Sequence, residues 1–384
     1  MRYAMRSLCL SLLAAALGAA PYAVAQQMEV LDLGNNASIG GSYSPEDIVP
    51  VQLCSEPDWC RGYPGWYASG DAIFLKRGAP RRSPLIVADQ GTLNDRSDDV
   101  ELLNAAGLHF IDFESGFRTE LGRSFGNGLA LEATYLLVDE WDTAEQITTS
   151  GLVSSNPLTQ GLSPPLQNSL AFYKSDPFDT EQAGTFYEAL QQTVVYQSDL
   201  NSAEINVKAT WQHCQFIRSE YFGLRYVQVR EQFTLTSQDE ATSTPANGIA
   251  TYAVDTDNDL IGAQYGQEIG LPLFGCALLS TRLKGGLFVN SAEQQTEIVD
   301  NAILRYRARD TDDEVSFVGE LNVGLNVKVN KMLSVRGGYN LIWVEGIALA
   351  AEQGYPVGLT GFSPINDNGG LFYHGFSLGV QVAR

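Results

Sequence analysis

Residues 315–329, Val-Ser-Phe-Val-Gly-Glu-Leu-Asn-Val-Gly-Leu-Asn-Val-Lys-Val, alternate between apolar and polar side chains at almost every step. Successive side chains of a β-strand point to opposite faces, so this stretch predicts a strand with one apolar and one polar face. The apolar face holds Val315, Phe317, Gly319, Leu321, Val323, Leu325, Val327 and Val329. The polar face holds Ser316, Glu320, Asn322, Asn326 and Lys328. The stretch exceeds the ~9–11 residues that a membrane-crossing strand needs.

Two-faced runs of the same kind recur on both sides of this stretch. They cover 66–76, 107–121, 126–138, 200–211, 219–236, 258–271, 275–291 and 370–383, and another strand begins at Leu333 after the tight turn 330–332. Soluble β-sandwiches also alternate, but their strands are mostly about 5–6 residues long. The greater length of these runs favours a membrane barrel over an exported soluble sandwich.

The predicted connections alternate between long and short along the chain. The long ones are 77–106, 139–199, 237–257, 292–314 and 349–369, and the short ones are 122–125, 212–218, 272–274 and 330–332. Bacterial outer-membrane barrels show this alternation, because tight turns lie on the periplasmic side and long loops lie outside. We therefore predict an all-β fold, a transmembrane antiparallel up-and-down β-barrel of about ten strands with long extracellular loops and short periplasmic turns.

The N-terminus has the layout of a secretory signal peptide. Arg2 and Arg6 form a positive region, residues 8–20 form an apolar one, and Ala23-Val24-Ala25 provides a cleavage site. We predict a signal peptide over 1–25 that is cleaved after Ala25, a Pro- and Gly-containing periplasmic extension over 26–64, and the barrel over 65–384. After the signal peptide no run of about 18 apolar residues remains that would predict a transmembrane helix.

The composition is strongly acidic, with 45 Asp and Glu against 24 Lys and Arg, a formal net charge of -21. Removal of Arg2 and Arg6 with the signal peptide changes this charge to -23. Such a balance argues against nucleic acid as a partner. Acid is concentrated in the predicted loops 139–199 and 292–314, where it either forms a solvated surface or captures divalent cations outside the cell.

Four cysteines follow the signal peptide. An even number in an oxidising compartment favours disulfides over metal ligands. Cys54 and Cys60 are close enough in sequence to close a small loop, which makes them the main disulfide candidates. Cys214 and Cys276 either pair across two neighbouring turns or remain separate thiols.

Charged residues on the polar faces of the predicted strands would line the lumen of the barrel. These candidates are Glu114, Arg118, Glu120, Glu132, Glu204, Lys208, Arg282, Lys284, Glu320, Lys328 and Arg336. Inward charges are tolerated only in water or in pairs. They therefore form either an ion-lined constriction or structural salt bridges. About ten strands is closer to the filled eight-stranded barrels than to the open sixteen-stranded porins, which favours the salt bridges.

Two further motifs carry weak chemical signals. Asp255, Asp257 and Asp259 begin like a calcium loop, but Leu260 and Gly266 stand where that loop needs Gly and Glu, so a loop-to-strand transition is the better interpretation. His374 and Ser377 form the one nearby His–Ser pair on the last strand, but their odd spacing predicts opposite faces. We therefore predict neither an enzyme nor a cofactor, and no metal site beyond the weak calcium candidate.

Several segments from residue 65 to the C-terminus together resemble the seventh beta-barrel porin family of bacterial envelope proteins. They are Gly65–Ala68, Phe222–Tyr226, Asn258–Gly266, Gly337–Val344 with Gly346–Ala350, and Phe372–Gly375. The resemblance implies an outer-membrane barrel with pore function and brings no catalytic residues. One departure is the ending Val382-Ala383-Arg384, because such barrels usually finish on an aromatic residue that the outer-membrane assembly machinery reads.

Three functional hypotheses follow. The first is an outer-membrane porin or channel for small polar solutes or cations. The second is a non-conducting structural or surface-interaction barrel that acts through its acidic outer loops. The third, a soluble exported β-sandwich that binds a ligand, fits the strand lengths and connections least well.

Overall fold

The computed structural model describes residues 65–88, 100–108, 110, 112–148, 162–163, 186, 189–213, 216–238, 248–274, 276–353 and 365–384. These residues form thirteen strands and two short 3-10 helices, Ala105–Gly107 and Ala350–Glu352. The strands are β1 Gly65–Arg77, β2 Pro84–Ala88, β3 Val100–Asn104, β4 Glu114–Ser124, β5 Leu129–Thr148, β6 Leu162–Ser163, β7 Gln191–His213, β8 Phe216–Gln238, β9 Ile249–Phe274, β10 Ala277–Asp300, β11 Ile303–Lys328, β12 Leu333–Ile347 and β13 Gly369–Ala383. No helix in the described ranges is long and apolar enough to span a membrane.

Ten of these strands close into one antiparallel barrel. The ring runs β1, β4, β5, β7, β8, β9, β10, β11, β12 and β13, and β1 pairs with β4 on one side and with β13 on the other. Each barrel strand therefore pairs with the barrel strands that precede and follow it in the chain. The remaining strands, β2, β3 and β6, form a small separate sheet. The predicted ten-stranded up-and-down barrel is confirmed.

The strands extend well beyond their predicted ends, so several predicted loops are shorter or absent. Strands β7 to β11 have 23–26 residues each, and the predicted loop 292–314 is a continuous hairpin of β10 and β11. Its two-residue turn has positive φ angles at Asn301 and Ala302, as a type I′ turn requires. Strand β5 continues to Thr148 and β7 begins at Gln191, both within the predicted loop 139–199. Strands β8 and β9 likewise extend into the predicted loop 237–257, to Gln238 and from Ile249. Many acids of these predicted loops occupy the polar face of a strand.

The two faces of the barrel wall change character along the long strands, and β8 shows a full exchange. On β8 the outward Phe222 and Leu224 are 64% and 65% exposed, and the inward Arg225 is buried. Towards the end of β8 that lies at the long loops, Val227 and Val229 are inward and buried. Polar residues occupy the outward face there. At β8 the wall is thus apolar outside at one end and apolar inside at the other.

The apolar outward face ends at the same level on four neighbouring strands. Tyr226, Ile261, Val289 and Val315 are register partners from β8 to β11 and form the last apolar outward row. The next outward row consists of Gln228, Asp259, Ser291 and Asp313. An outward apolar surface that ends within one row of side chains marks the boundary between an apolar solvent and water.

At the long-loop end, the inward side chains build a hydrophobic core like that of a soluble protein. Ile73, Leu75 and Tyr252 are fully or almost fully buried in it, and Leu85, Leu108 and Phe110 from the segment between β1 and β4 also belong to it. Trp141 is buried as well and donates its indole N–H to the carbonyl of Leu75 at 2.9 Å. The core therefore fills the interior of the barrel at this end.

A glycine-to-alanine pair tests the packing of the outer wall. The ring of Trp343 lies over Gly319, so that a Cβ there would be 2.1 Å from the indole, whereas a Cβ at Gly70 would meet nothing within 4 Å. We expect Gly319→Ala to destabilise the barrel by about 1–3 kcal/mol, as overpacking does, and Gly70→Ala to have little effect. Urea unfolding of the refolded protein, followed by tryptophan fluorescence, measures both changes. Equal changes in stability for the two variants would contradict the close packing of Trp343 over Gly319.

Candidate functional site

Twelve charged side chains meet inside the barrel below the hydrophobic core, and we call them the charge layer. Six are carboxylates and six are cations, which makes the layer formally neutral: Asp71, Glu120, Glu132, Glu204, Glu268 and Glu320, with Arg118, Lys208, Arg225, Arg282, Lys284 and Arg336. Nine of the ten barrel strands supply at least one of them, and only β13 supplies none. Strand alternation aims all of them inward.

Glu320 is the centre of one half of the layer. Its two oxygens accept hydrogen bonds from Arg118 at 2.9 Å and from Arg225 at 3.0 Å. Arg225 also lies 3.4 Å from Glu204, and Lys284 donates to Glu204 at 2.7 Å. These side chains are at most 9% exposed. The two carboxylates therefore tie strands from different sides of the ring together inside the lumen.

The other half of the layer is centred on Arg336 and Arg282. Arg336 donates two hydrogen bonds to Asp71, at 2.6 Å and 2.5 Å, in the bidentate geometry that suits a guanidinium and a carboxylate. Arg282 lies 3.1 Å from Glu268 and 3.6 Å from Glu120.

Lys208 completes this half. Its ammonium lies between two carboxylates, 3.7 Å from Glu132 and 3.9 Å from Glu268. The hydroxyl of Tyr67 donates to Glu132 at 2.9 Å and gives it a second partner.

The charge layer spans the whole lumen. Arg282 is on β10 and Glu120 is on β4, five strands apart in a ring of ten and therefore diametrically opposite. Their charged atoms are 3.6 Å apart. Opposite walls are in contact here, and the side chains of Glu204, Arg225, Lys284 and Glu320 are at most 5% exposed, which leaves no continuous water-filled passage at this level.

A second closure lies at the long-loop end, where the backbone after β12 enters the barrel. Asn258 of β9 accepts the N–H of Ala348 at 2.8 Å and donates to the carbonyl of the same residue at 2.8 Å. Glu231 of β8 accepts the N–H of Ala350 at 3.0 Å. We call Asn258 and Glu231 the loop clasp, because they hold residues 348–350 inside the barrel.

The loop clasp is anchored by a buried ion pair. Arg77, at the end of β1, pairs with Glu231, and both side chains are 0% exposed. The guanidinium of Arg77 also donates to the hydroxyl of Tyr196 at 2.9 Å and lies 4.6 Å from the ring centre of Phe110. A buried ion pair requires such additional partners, since its desolvation is costly.

Glu352, just after residues 348–350, connects the same segment to the chain that follows β1. Its carboxylate accepts the backbone N–H of Arg81 at 2.7 Å. Burial raises the pKa of Glu352 above its usual range, and this hydrogen bond acts in the opposite direction. The segment after β12 is thus fastened to the one that follows β1.

On the other side of the charge layer, a cavity reaches the end of the barrel that carries the short turns. Its volume is about 690 Å³, and we call it the vestibule. Its inner wall is the charge layer, and its outer rim includes Trp66, Lys328, Lys331 and Arg384. The lumen is therefore open to this depth and closed beyond it.

Nine of the eleven predicted lumen residues belong to the charge layer. The exceptions are Glu114, at the loop end of β4, and Lys328, at the rim of the vestibule. Sequence reasoning missed Asp71, Arg225 and Glu268. Arg225 lies on the same face of β8 as the apolar Val227 and Val229, so this face did not look like a polar lumen face in the sequence. Its odd-numbered position, in contrast to the even-numbered outward residues Phe222 and Leu224, would have identified it as inward.

The other predicted sites have mixed outcomes. Asp255, Asp257 and Asp259 lie within β9 rather than in a calcium loop, and Asp257 pairs with Arg230. The described residues contain no group of three or more side chains suited to a metal ion. Cys276 is exposed and free, which leaves a Cys214–Cys276 bond without support. Cys54, Cys60 and Cys214 lie outside the described residues. The predicted signal peptide and the 26–64 extension lie outside them as well. The ring nitrogen Nδ1 of His374 shares a hydrogen bond with the hydroxyl of Tyr339, and the hydroxyl of Ser377 accepts one from the side-chain amide of Asn340.

Comparisons with known proteins agree on barrels but at low similarity. No family model matches the sequence, and no curated protein does, so the specific porin family stays a prediction. Among solved structures, the outer membrane protease OmpT from Escherichia coli matches with 10% identity and a TM-score of 0.42, over 83% of this chain and 97% of that one. A major outer membrane protein from Thermus thermophilus has 11% identity and a TM-score of 0.30, over 83% and 99%. The translocator domain of NalP from Neisseria meningitidis has 9% identity and a TM-score of 0.33, over 83% and 89%.

Replacement of Glu320 tests the charge layer. Glu320→Gln keeps the shape but leaves two buried guanidinium groups without their shared carboxylate, so we expect a loss of about 3–5 kcal/mol in the free energy of unfolding. The matched control is Glu293→Gln, since Glu293 pairs with Arg309 at 2.6 Å where both are exposed, and it should lose no more than about 1 kcal/mol. Urea unfolding in the same detergent compares the two. Similar losses would argue against a structural charge layer.

Replacement of Asn258 tests the loop clasp. Asn258→Ala removes both hydrogen bonds to Ala348, so the amides of residues 348–350 should exchange with solvent at least about tenfold faster, as expected for the loss of more than about 1 kcal/mol. Hydrogen exchange with mass spectrometry measures this. The control is Asn322→Ala, because Asn322 bonds Asn340 in the charged half of the lumen and not the segment after β12. Unchanged protection at 348–350 would refute the clasp.

Proposed function

We propose that this chain is an outer-membrane β-barrel whose lumen is closed, and which acts through the surface that it presents at its long-loop end. The observation that carries the proposal is the contact between opposite walls at Arg282 and Glu120, 3.6 Å apart within a neutral network. A buried network with matched charges favours a structural role over an ion-lined constriction. No catalytic reaction is assigned to the chain in this proposal.

The location in a membrane rests on the outer face of the barrel. Large apolar side chains are exposed there, including Ile205 at 61%, Ile261 at 63%, Leu287 at 67% and Leu378 at 62%. A soluble protein rarely exposes an apolar surface that encircles it, and lipid is the partner that such a surface fits. A signal peptide over residues 1–25 would deliver the chain across the inner membrane, and the assembly machinery of the outer membrane would insert it.

The orientation follows from the two ends. At one end, at most four residues separate β4 from β5, β7 from β8, β9 from β10 and β11 from β12, and in bacterial barrels the end with short connections is the periplasmic one. The other end extends past the apolar belt and bears exposed acids and ion pairs, such as Glu293 with Arg309. Outside the membrane this surface would meet other macromolecules or divalent cations.

A gated channel for small polar solutes or cations is the second candidate. It is favoured by the vestibule of about 690 Å³, which already opens the lumen as far as the charge layer. The charge layer beyond it consists of side chains and contains no backbone segment, so a change of rotamers would widen it. The segment 348–350 would have to leave the barrel as well.

Recordings in planar bilayers test the closed lumen. The purified protein should give no conductance steps at moderate voltage, because two independent closures block the passage. Glu320→Ala combined with Arg225→Ala should remain silent, since the hydrophobic core and the loop clasp are intact in that variant. Asn258→Ala serves as the variant that loosens the second closure. Steady conductance from the unmodified protein would overturn the proposal, and steps that appear at high voltage would support the gated channel.

A further inference from the structure

We propose that the vestibule is a binding site for a small anion that carries two or more phosphate or carboxylate groups and approaches from the turn end. The inference concerns the half of the lumen outside the charge layer, so it does not depend on whether the barrel conducts. A volume of about 690 Å³ lies within the range of ligand pockets in proteins, about 300–1,000 Å³.

The lining of the vestibule holds more cations than carboxylates, although the whole chain is acidic. Seven of its lining side chains are cationic and three are carboxylates. The four cations of the inner wall are paired within the charge layer, so the excess of positive charge comes from Lys328, Lys331 and Arg384 at the rim. The formal net charge of the chain is -21, so this concentration of cations in one cavity is not a consequence of composition.

The cations occupy two depths. Arg118, Lys208, Arg282 and Arg336 belong to the charge layer and are held by carboxylates there. Lys328, Lys331 and Arg384 add positive charge at the rim. An anion with two or more groups would contact the rim lysines and turn its other end towards Arg336, which is 18% exposed.

The backbone fixes the rim in place. Trp66 and Arg384 exchange two hydrogen bonds at 3.0 and 2.8 Å, which holds Arg384 beside β1. The turn that carries Lys331 is closed by the side chain of Asn330, which accepts the N–H groups of Met332 and Leu333 at 2.8 and 2.9 Å. A rim of fixed shape loses little conformational freedom when it binds a ligand.

The shape of the cavity strengthens its field. Low-dielectric walls around a cleft of one sign concentrate the field and raise the local concentration of counter-ions. An exposed single ion pair contributes little in water, at most about 1 kcal/mol, so a monovalent anion would not be retained. The charge layer forms the inner wall of the site, so a ligand in the vestibule meets charged side chains at its inner end as well as at the rim.

Isothermal titration calorimetry of the full-length protein in detergent tests the site, with tripolyphosphate and citrate as probes and chloride as the monovalent comparison. We expect saturable binding of at least one probe at one ligand per barrel, and weaker binding at higher salt because exposed charges are screened. Tripolyphosphate binding without citrate binding would assign the site to phosphates, and the reverse to carboxylates. Binding of neither probe, or binding that chloride matches, would overturn the proposal.

A matched pair of variants locates the binding. Lys328→Gln with Lys331→Gln removes two charges from the rim, and we expect the dissociation constant to rise about tenfold, as the loss of two partly exposed charge contacts implies. Arg307→Gln with Arg309→Gln removes two exposed charges at the opposite end of the barrel and should leave the constant within about twofold. Heat-dependent gel mobility checks that both variants are folded. Equal weakening in both would show that only net charge matters and would also overturn the proposal.

Discussion

Neutralisation of charge inside the barrel is the constraint on which the rest of the structure depends. An ion that is removed from water costs several kcal/mol unless partners of good geometry surround it. Six carboxylates and six cations satisfy this condition by contact across the lumen, as Glu120 and Arg282 do from opposite walls. The ring must be narrow for these side chains to meet, and ten strands provide such a ring. The same contacts that neutralise the charges therefore close the passage.

The exchange of faces along the strands explains the remaining architecture. Below the row of Tyr226, Ile261, Val289 and Val315, apolar side chains point outward and the lumen is polar. Above it, apolar side chains of β7, β8 and β9 point inward and need a core, which the segments after β1 and β12 complete. Those segments lie inside the barrel because Asn258, Glu231 and Arg77 offer partners for their backbone and for each other. One chain thus combines a membrane-type wall with a core of the soluble type.

Much of this could be predicted from alternation alone. Val315 to Val329 identified the correct faces of β11, and nine predicted lumen residues are in the charge layer. The ends of the strands could not be predicted, because acids such as Asp310 and Asp312 on a solvent-facing strand have the composition of a loop. The partners of each charge could not be predicted either. Glu320 meets Arg118 and Arg225 across 202 and 95 residues of sequence, and only the closure of the ring brings them together.

Solvent accessibility along β8 tests two features in one experiment, the exchange of faces along the strand and the closed lumen. Spin labels would be placed singly at Leu224, Val227, Gln228, Val229 and Arg230 in a background without native cysteines, with the protein in lipid vesicles. The account predicts that oxygen reaches position 224, that a polar nickel reagent reaches positions 228 and 230, and that neither reaches 227 and 229. Nickel access at 227 and 229 would reveal an open lumen, and the same accessibility at 224 and 230 would contradict a membrane boundary between them.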